Sequence, residues 1–234
     1  MSSNRVGISQ SNYIPWLGYF ELISKCDVFV FLESVQYTKN DWRNRNIIRT
    51  NDKPHWLTIP VKTGNSINLK LNEVSIADPD WSCKHLKILQ NSYSRKLRKI
   101  NNLDFFEEIY NQELNNLSKI SEINIYVLNK ILNILNIKTK IAIYNETDSL
   151  EKQDRILKIC QNLNATAYVT TEKGSSYLNK HNFNYKGIDL EVINFEKSMN
   201  FLSKDFGGKI LDKYSILDSM SNHKIQLVTE ALVL

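Results

Sequence analysis

The apolar positions of this chain fall into two rhythms that alternate along its length. Arg5-Val6-Gly7-Ile8-Ser9-Gln10 reads as a short strand and Ser11–Pro15 as a turn. From Trp16 to Lys25 the residues Trp16, Leu17, Phe20 and Ile23 recur at helical spacing, and Pro15 suits the first turn of that helix. Asp27–Leu32 is a nearly continuous apolar run, as expected for a parallel strand covered on both faces. The opening therefore predicts a strand–helix–strand unit with a right-handed crossover. A polar, basic and aromatic loop fills Glu33–Arg49, and His55–Val61 reads as a strand that Pro60 ends or confines to an edge. Helical periodicity covers 81–97, 103–117 and 120–136. Strands at Ile141–Tyr144, Ala167–Thr170 and Ile188–Ile193 follow, with a helix at Leu150–Leu163. This order predicts an α/β fold: a mostly parallel, Rossmann-like sheet with a helical insert around residues 81–136, within one domain spanning 1–234.

Composition narrows the class. The 234 residues are 42% hydrophobic and 24% charged, enough to bury a sizeable core. No apolar run approaches the roughly 18 residues that span a bilayer, so membrane insertion is not expected. No apolar stretch follows Met1-Ser2-Ser3-Asn4-Arg5, so the expectation is a chain without a secretory signal, working in the cytoplasm. Cys26, Cys83 and Cys160 are widely spaced, which argues against a disulfide framework or a zinc site. With 7 Gly and 4 Pro, no linker divides the chain. The net charge of +5 is mild: it suits a small anionic ligand as well as a nucleic acid.

Ligands of parallel sheets bind beyond the carboxyl ends of the strands, so the loops after Ile8, Leu32, Tyr144 and Thr170 should gather around one crevice. The first carries Gln10, Asn12 and Tyr13 before a helix N-terminus. The second carries Gln36, Tyr37, Lys39, Trp42, Arg43, Asn44, Arg45, Asn46 and Arg49, a mixture of forks, amides and rings that a polar aromatic ligand requires. The third offers Asn145, Glu146, Thr147 and Asp148, and the fourth Thr170, Thr171, Glu172, Lys173, Gly174, Ser175, Ser176 and Tyr177. Lys-Gly-Ser-Ser after a strand can form an anion-binding nest. Arg43 and Arg45, two apart, would share a face if their segment were extended, with Trp42, Asn44 and Asn46 on the other. Each feature has a plain structural counterpart. Trp16 and Phe20 lie on an apolar helical stripe and read as core, the basic residues as a solvated face, and Cys26 as a small core residue. The 4 histidines, His55, His85, His181 and His223, lack metal-ligand spacing, and no metal is assigned. No P-loop, GxGxxG, GxSxG or paired-carboxylate signature is present.

Ile8-Ser9-Gln10-Ser11-Asn12-Tyr13-Ile14-Pro15-Trp16-Leu17-Gly18-Tyr19-Phe20 opens a series of motifs. It continues with Asp27-Val28-Phe29-Val30, Val35-Gln36-Tyr37, Trp42-Arg43-Asn44-Arg45-Asn46 and Trp56-Leu57-Thr58-Ile59-Pro60-Val61. Together they closely resemble the WbqC-like family, as do Gly174-Ser175-Ser176-Tyr177-Leu178 and Tyr214-Ser215-Ile216-Leu217-Asp218. Where the family has a Ser-Gly step, this chain has Glu172-Lys173-Gly174. The resemblance implies a bacterial protein of O-antigen or other surface-polysaccharide gene clusters, in a family for one branch of which a glycine-transferase role has been suggested. Pro15-Trp16-Leu17-Gly18-Tyr19 also occupies the place of the His-x-Gly-His signature of nucleotidylyltransferases, with Trp16 and Tyr19 for the histidines. That analogy raises ATP as a cofactor and licenses no activity.

The resulting expectation is a protein that binds a nucleotide-linked amino sugar or another phosphorylated small molecule and attaches an acyl or aminoacyl group to the sugar amine. In that reading Lys39, Arg43 and Arg45 hold phosphates, Gln10 and Asn46 orient the ligand, and Tyr13 or Tyr37 stacks or hydrogen-bonds. The rivals are a non-catalytic scaffold of the polysaccharide assembly machinery and a nucleic-acid binder. Glu33, Asp41 and Asp52, dispersed through the basic loop, oppose the last.

Overall fold

A computed structural model describes residues 3–64, 69–100, 105–146, 149–203 and 214–234. The elements run β1 (Arg5–Ser9), α1 (Leu17–Ser24), β2 (Val28–Leu32), β3 (Arg45–Thr50), β4 (Lys53–Thr58), β5 (Val61–Lys62) and β6 (Ser75–Ile76). Next come α2 (Trp81–Lys99), α3 (Phe106–Ile109), α4 (Gln112–Asn115), α5 (Ile120–Ile134), β7 (Lys140–Tyr144), α6 (Lys152–Asn162) and β8 (Ala167–Thr171). The chain continues with α7 (Glu172–Ser175), α8 (Lys180–Tyr185), β9 (Asp189–Ile193), α9 (Glu196–Ser203), α10 (Ile216–Asn222) and α11 (Ile225–Ala231).

Among the described residues, five parallel strands form the central sheet in the order β7-β2-β1-β8-β9. The protein is thus an α/β fold with a Rossmann-like sheet flanked by helices. The apolar run of β2 is explained by cover on both faces. Phe29 and Phe31 enter a large core shared with α1, α2, α5, α10 and α11, while Val30 joins Val6, Ile156, Cys160, Tyr168 and Phe183 in a second core on the opposite face. Cys26 is buried in the first core, and burial pushes its thiol up to about 12. No helix among the described residues is long and apolar enough to cross a membrane.

Three sequence expectations need correction. The end of the Glu33–Arg49 loop is a strand: β3 pairs antiparallel with β4, and Asn51 and Asp52 take left-handed φ values of 50° and 60° in a tight hairpin turn. The helix expected over 103–117 is two short helices among its described residues, because Asn111 breaks it and caps α4, its Oδ1 accepting from the N–H of Glu113 at 3.0 Å. Pro15 stands just outside α1, where its carbonyl accepts the N–H of Ile216 at 2.8 Å.

Candidate functional site

Direction reverses at the centre of the sheet: β1 leads to β2 on one side, and its other neighbour, β8, leads on to β9. The carboxyl edge at such a reversal is where open α/β sheets bind ligands.

Glu33, the first residue past β2, is buried there. Its Oε1 accepts the Ser11 N–H at 2.9 Å and its Oε2 the Ser11 hydroxyl at 2.8 Å. Burial raises its pKa, opposed by hydrogen bonds from Ser121 and Ser11 and by the charge of Arg43. The loops after β1 and β2 are joined again where the Tyr13 N–H donates to the Trp42 carbonyl at 2.9 Å and Asn46 Nδ2 to the Tyr13 carbonyl at 3.1 Å. Asn124, buried on α5, donates to the Arg43 carbonyl at 2.8 Å and lies 3.4 Å from the Ser11 hydroxyl. The Tyr19 hydroxyl donates to the Gln10 carbonyl at 2.7 Å, and burial followed by the charge of Glu33 holds its pKa far above the usual phenol range. Ile14, a buried β-branched residue, is held at φ 37° within the first loop, a strained conformation of the kind that gathers at functional sites.

Within this assembly, Gln10 Oε1, Asn12 Oδ1, Arg43 Nε and Asn124 Oδ1 are buried and have no hydrogen-bond partner among the described residues. Buried polar groups are nearly always satisfied, so orphans on these joined loops and on α5 mark groups that a polar ligand or solvent completes.

The other sequence candidates are placed differently. Tyr13 is a core residue: its ring meets Trp81 edge-on, and its hydroxyl is used by His85 Nδ1 at 2.8 Å and by Tyr110 at 2.5 Å. His85 Nε2 faces the Thr58 carbonyl at 3.2 Å and must donate to it, so Nδ1 accepts from Tyr13. Asn46 is committed to backbone at both ends, and Tyr37 is buried, its phenol pKa raised by that burial. Gln36 and Lys39 are exposed.

Trp42–Asn44 is a turn rather than an extended strand, so Arg43 and Arg45 do not form a parallel pair of forks. Arg43 Nη1 pairs with Asp41 at 2.9 Å. Arg45 donates to the Asn40 carbonyl and lies 4.4 Å from the centre of the Trp56 ring, which stacks on Trp42 at 5.6 Å. Trp42 and Arg45, assigned opposite faces from sequence, share this platform. The residue that ties the segment to a core carboxylate is Arg49, 3.3 Å from Asp218 and stacked on Tyr214 at 4.5 Å. Tyr93 completes that buried group, its hydroxyl donating to Asp218 at 2.7 Å. Tyr214–Asp218 is thereby explained as a clamp on β3, with the Ser215 N–H donating to the Ile47 carbonyl at 2.8 Å.

Lys173-Gly174-Ser175-Ser176 does not make an anion nest. Glu172–Ser175 is the short helix α7, and the Thr171 hydroxyl takes the Gly174 N–H at 3.0 Å. Glycine is needed there because a Cβ would strike the Thr170 hydroxyl. Ser175 donates to the Glu172 carbonyl at 2.9 Å, and exposed Tyr177 carries Lys152 at 3.5 Å from its ring centre. Lys173 instead lines a crevice of about 450 Å³ at the tips of β8 and β9. Trp16 reaches this crevice from the first loop and meets Phe195 edge-on at 5.0 Å, while its ring folds over Gly18, where a Cβ would collide with it. Of the third loop, Glu146 is bonded to Lys158 at 3.1 Å and Tyr144 at 3.0 Å, while Thr147 and Asp148 lie outside the described residues.

Glu33, Ser11, Tyr19 and Asn124 escaped the sequence reading as site residues. Glu33 could have been found from its place directly after a parallel strand. Ser121 and Asn124 are the polar members of the otherwise apolar stripe Ile120, Ile123, Val127, Leu128 and Ile131 on α5, a break in amphipathicity that signals a buried polar contact.

Comparison with known proteins adds the family. The model of the WbqC-like protein family matches residues 10–230. An uncharacterized protein of Mycobacterium tuberculosis, Rv1507c, is 34% identical over 221 residues, covering 93% of this chain and 93% of the relative. No solved structure matches. A match that takes in both site loops, the helical stretch and the Tyr214–Asp218 clamp leaves one assignment: the chain belongs to the WbqC-like protein family.

Proposed function

We propose that this protein acts in surface-polysaccharide biosynthesis by transferring an acyl or aminoacyl group, such as glycyl, to the amine of a nucleotide-linked amino sugar bound at the loops after β1 and β2. Membership of the WbqC-like family associates the chain with polysaccharide gene clusters. The observation that carries the finer reading is the group of buried orphans, Gln10 Oε1, Asn12 Oδ1, Arg43 Nε and Asn124 Oδ1. Three acceptors and one charged donor on the joined loops and α5 suit a ligand that offers hydroxyls together with an anion, as a sugar phosphate does. An unmet buried polar group costs about 1–3 kcal/mol, so a ligand that satisfies several gains by doing so. Arg43 is the cation for the phosphate, and the half-exposed Trp42–Trp56 pair offers a face on which a base or sugar ring stacks.

The test is mass spectrometry of the purified protein incubated with nucleotide-linked amino sugars and an amino acid pool, with and without ATP. The expected result is a sugar nucleotide heavier by one acyl group; the ATP arm shows whether the donor is activated on the protein. Absence of product together with no thermal stabilisation by any nucleotide sugar at millimolar concentration would overturn the reading. The second reading, a non-catalytic scaffold, is favoured by the same tryptophans: two stacked rings, 42% and 43% exposed, are also what a protein partner would cover.

A further inference from the structure

We propose that the crevice at the tips of β8 and β9 is the subsite for the acceptor's amine, taking the apolar face of the sugar ring and its amino group; this rests on the transfer reading above. The amine is bound as the ammonium ion and gives its proton to a crevice carboxylate or solvent before it can attack. The crevice has a volume of about 450 Å³, within the range of small-molecule sites. Its walls include the rings of Trp16 and Phe195 and the side chain of Ile193, which together offer apolar surface. Among the described residues its charge is of the wrong sign for a phosphate: Glu172 and Glu196 line it with Lys173. Two carboxylates beside two aromatic rings favour a primary ammonium, which gains from the carboxylate charge and from the negative ring faces together. Lys173, opposite in sign, is placed to turn away a second cation and to hold a hydroxyl.

The position agrees with the chemistry. Trp16 belongs to the same loop as Gln10 and Asn12, and β8 is the immediate neighbour of β1. One strand spacing, about 5 Å, therefore separates the tip that carries the orphaned amides from the tip that opens the crevice. A sugar whose phosphate faces Arg43 can extend its ring in this direction, with the anionic end on the basic side and the cationic end on the acidic side. The two loops would then read opposite ends of one molecule.

Calorimetric titration of the whole protein with a nucleoside-diphosphate-linked amino sugar and with its N-acetylated counterpart tests this, because the two differ only in the amine's charge and substituent. The expected result is at least about tenfold tighter binding of the free amine. Glu172→Gln combined with Glu196→Gln, both exposed positions, should bring the two ligands to equal affinity by weakening the amine alone. Phe195→Ala should weaken both. Equal affinity in the wild-type protein, or a preference that persists in the double variant, would overturn the crevice assignment and leave the transfer reading intact. Failure of both ligands to bind would overturn the two together.

Discussion

Ser11 gives both its N–H and its hydroxyl to the Glu33 carboxylate, at 2.9 and 2.8 Å, across a sequence separation of 22 residues. The tip of β1 is thereby fixed to the tip of β2, and the loop that carries Gln10 and Asn12 cannot drift from the one that carries Arg43. Glu33→Ala would remove the acceptor of the Ser11 N–H, the Ser11 hydroxyl and Ser121, and should lower stability by about 1–3 kcal/mol for each buried donor left unmet. Urea denaturation checks the cost. The same variant should bind nucleotide sugars more weakly, since its site loops lose one of their ties; unchanged affinity would mean that Asn124, Asn46 and the Tyr13–Trp42 backbone bond suffice to hold them.

Arg43 and Arg45 should respond differently to truncation. Arg43→Ala removes the cation of the proposed site and should weaken nucleotide-sugar binding about tenfold or more, with little change in melting temperature, because its partner Asp41 is partly exposed. Arg45→Ala uncovers Trp56 and frees the Asn40 carbonyl, so the first change should be in tryptophan fluorescence, with a smaller loss of affinity. Calorimetry and fluorescence on the two variants separate them; identical behaviour would return both to a common clamp.

The Arg49–Asp218 pair is structural. Both side chains are buried, and removing one member of such a pair typically costs about 3–5 kcal/mol by stranding the other. Asp218→Ala should therefore lower the midpoint of urea denaturation sharply, while the folded fraction keeps its affinity for nucleotide sugars. A loss of affinity without a loss of stability would place Asp218 in the site instead.

His85 should make stability depend on pH. Burial pushes its pKa down to about 4, well below the ordinary value of 6.5. Between these values the unfolded chain binds the proton and the folded chain does not, so stability falls as pH drops from 6.5 towards 4 and is restored as pH rises. The shift corresponds to about 3 kcal/mol at its limit. His85→Gln should lose this component, so the difference in stability between variant and wild type should change steadily across that window in paired urea titrations. A constant difference would show that His85 is charged in the folded protein.

Gly174→Ala should destabilise by about 1–3 kcal/mol through its collision with the Thr170 hydroxyl. Thr170→Ala in the same chain removes the obstacle and should recover part of the loss, which a double-mutant cycle measures as coupling.

The sheet was legible because its strands are written as apolar runs, and β2 in particular needs both faces covered. The hairpin was hidden because Arg45, Asn46 and Arg49 break the expected alternation: each is occupied by a specific partner, Trp56, the Tyr13 backbone and Asp218 respectively. Asn51-Asp52 was the available turn signal. Residue type pointed to the loops after β1 and β2, which the structure joins, without distinguishing an asparagine that binds backbone, Asn46, from one whose oxygen is orphaned, Asn12. That distinction depends on which way each amide is turned by its neighbours, and no local pattern records it. Tyr13 shows the same limit, since its core role rests on His85 and Tyr110, 72 and 97 residues away.

The pairing of β1 with β8 has a consequence for how the molecule comes into being. Arg5 is aligned with Ala167, so the central strand lacks one of its two neighbours until most of the chain has been made. At synthesis rates of about 5–20 residues per second, that interval is roughly 10–30 s. Throughout it, one side of β1 is an open edge able to recruit any extended segment, including the same strand of a neighbouring nascent chain. The carboxyl-edge loops would meanwhile be half assembled, with the β8–β9 crevice still to be built. The two-ended recognition proposed above would thus be acquired only in the last phase of translation.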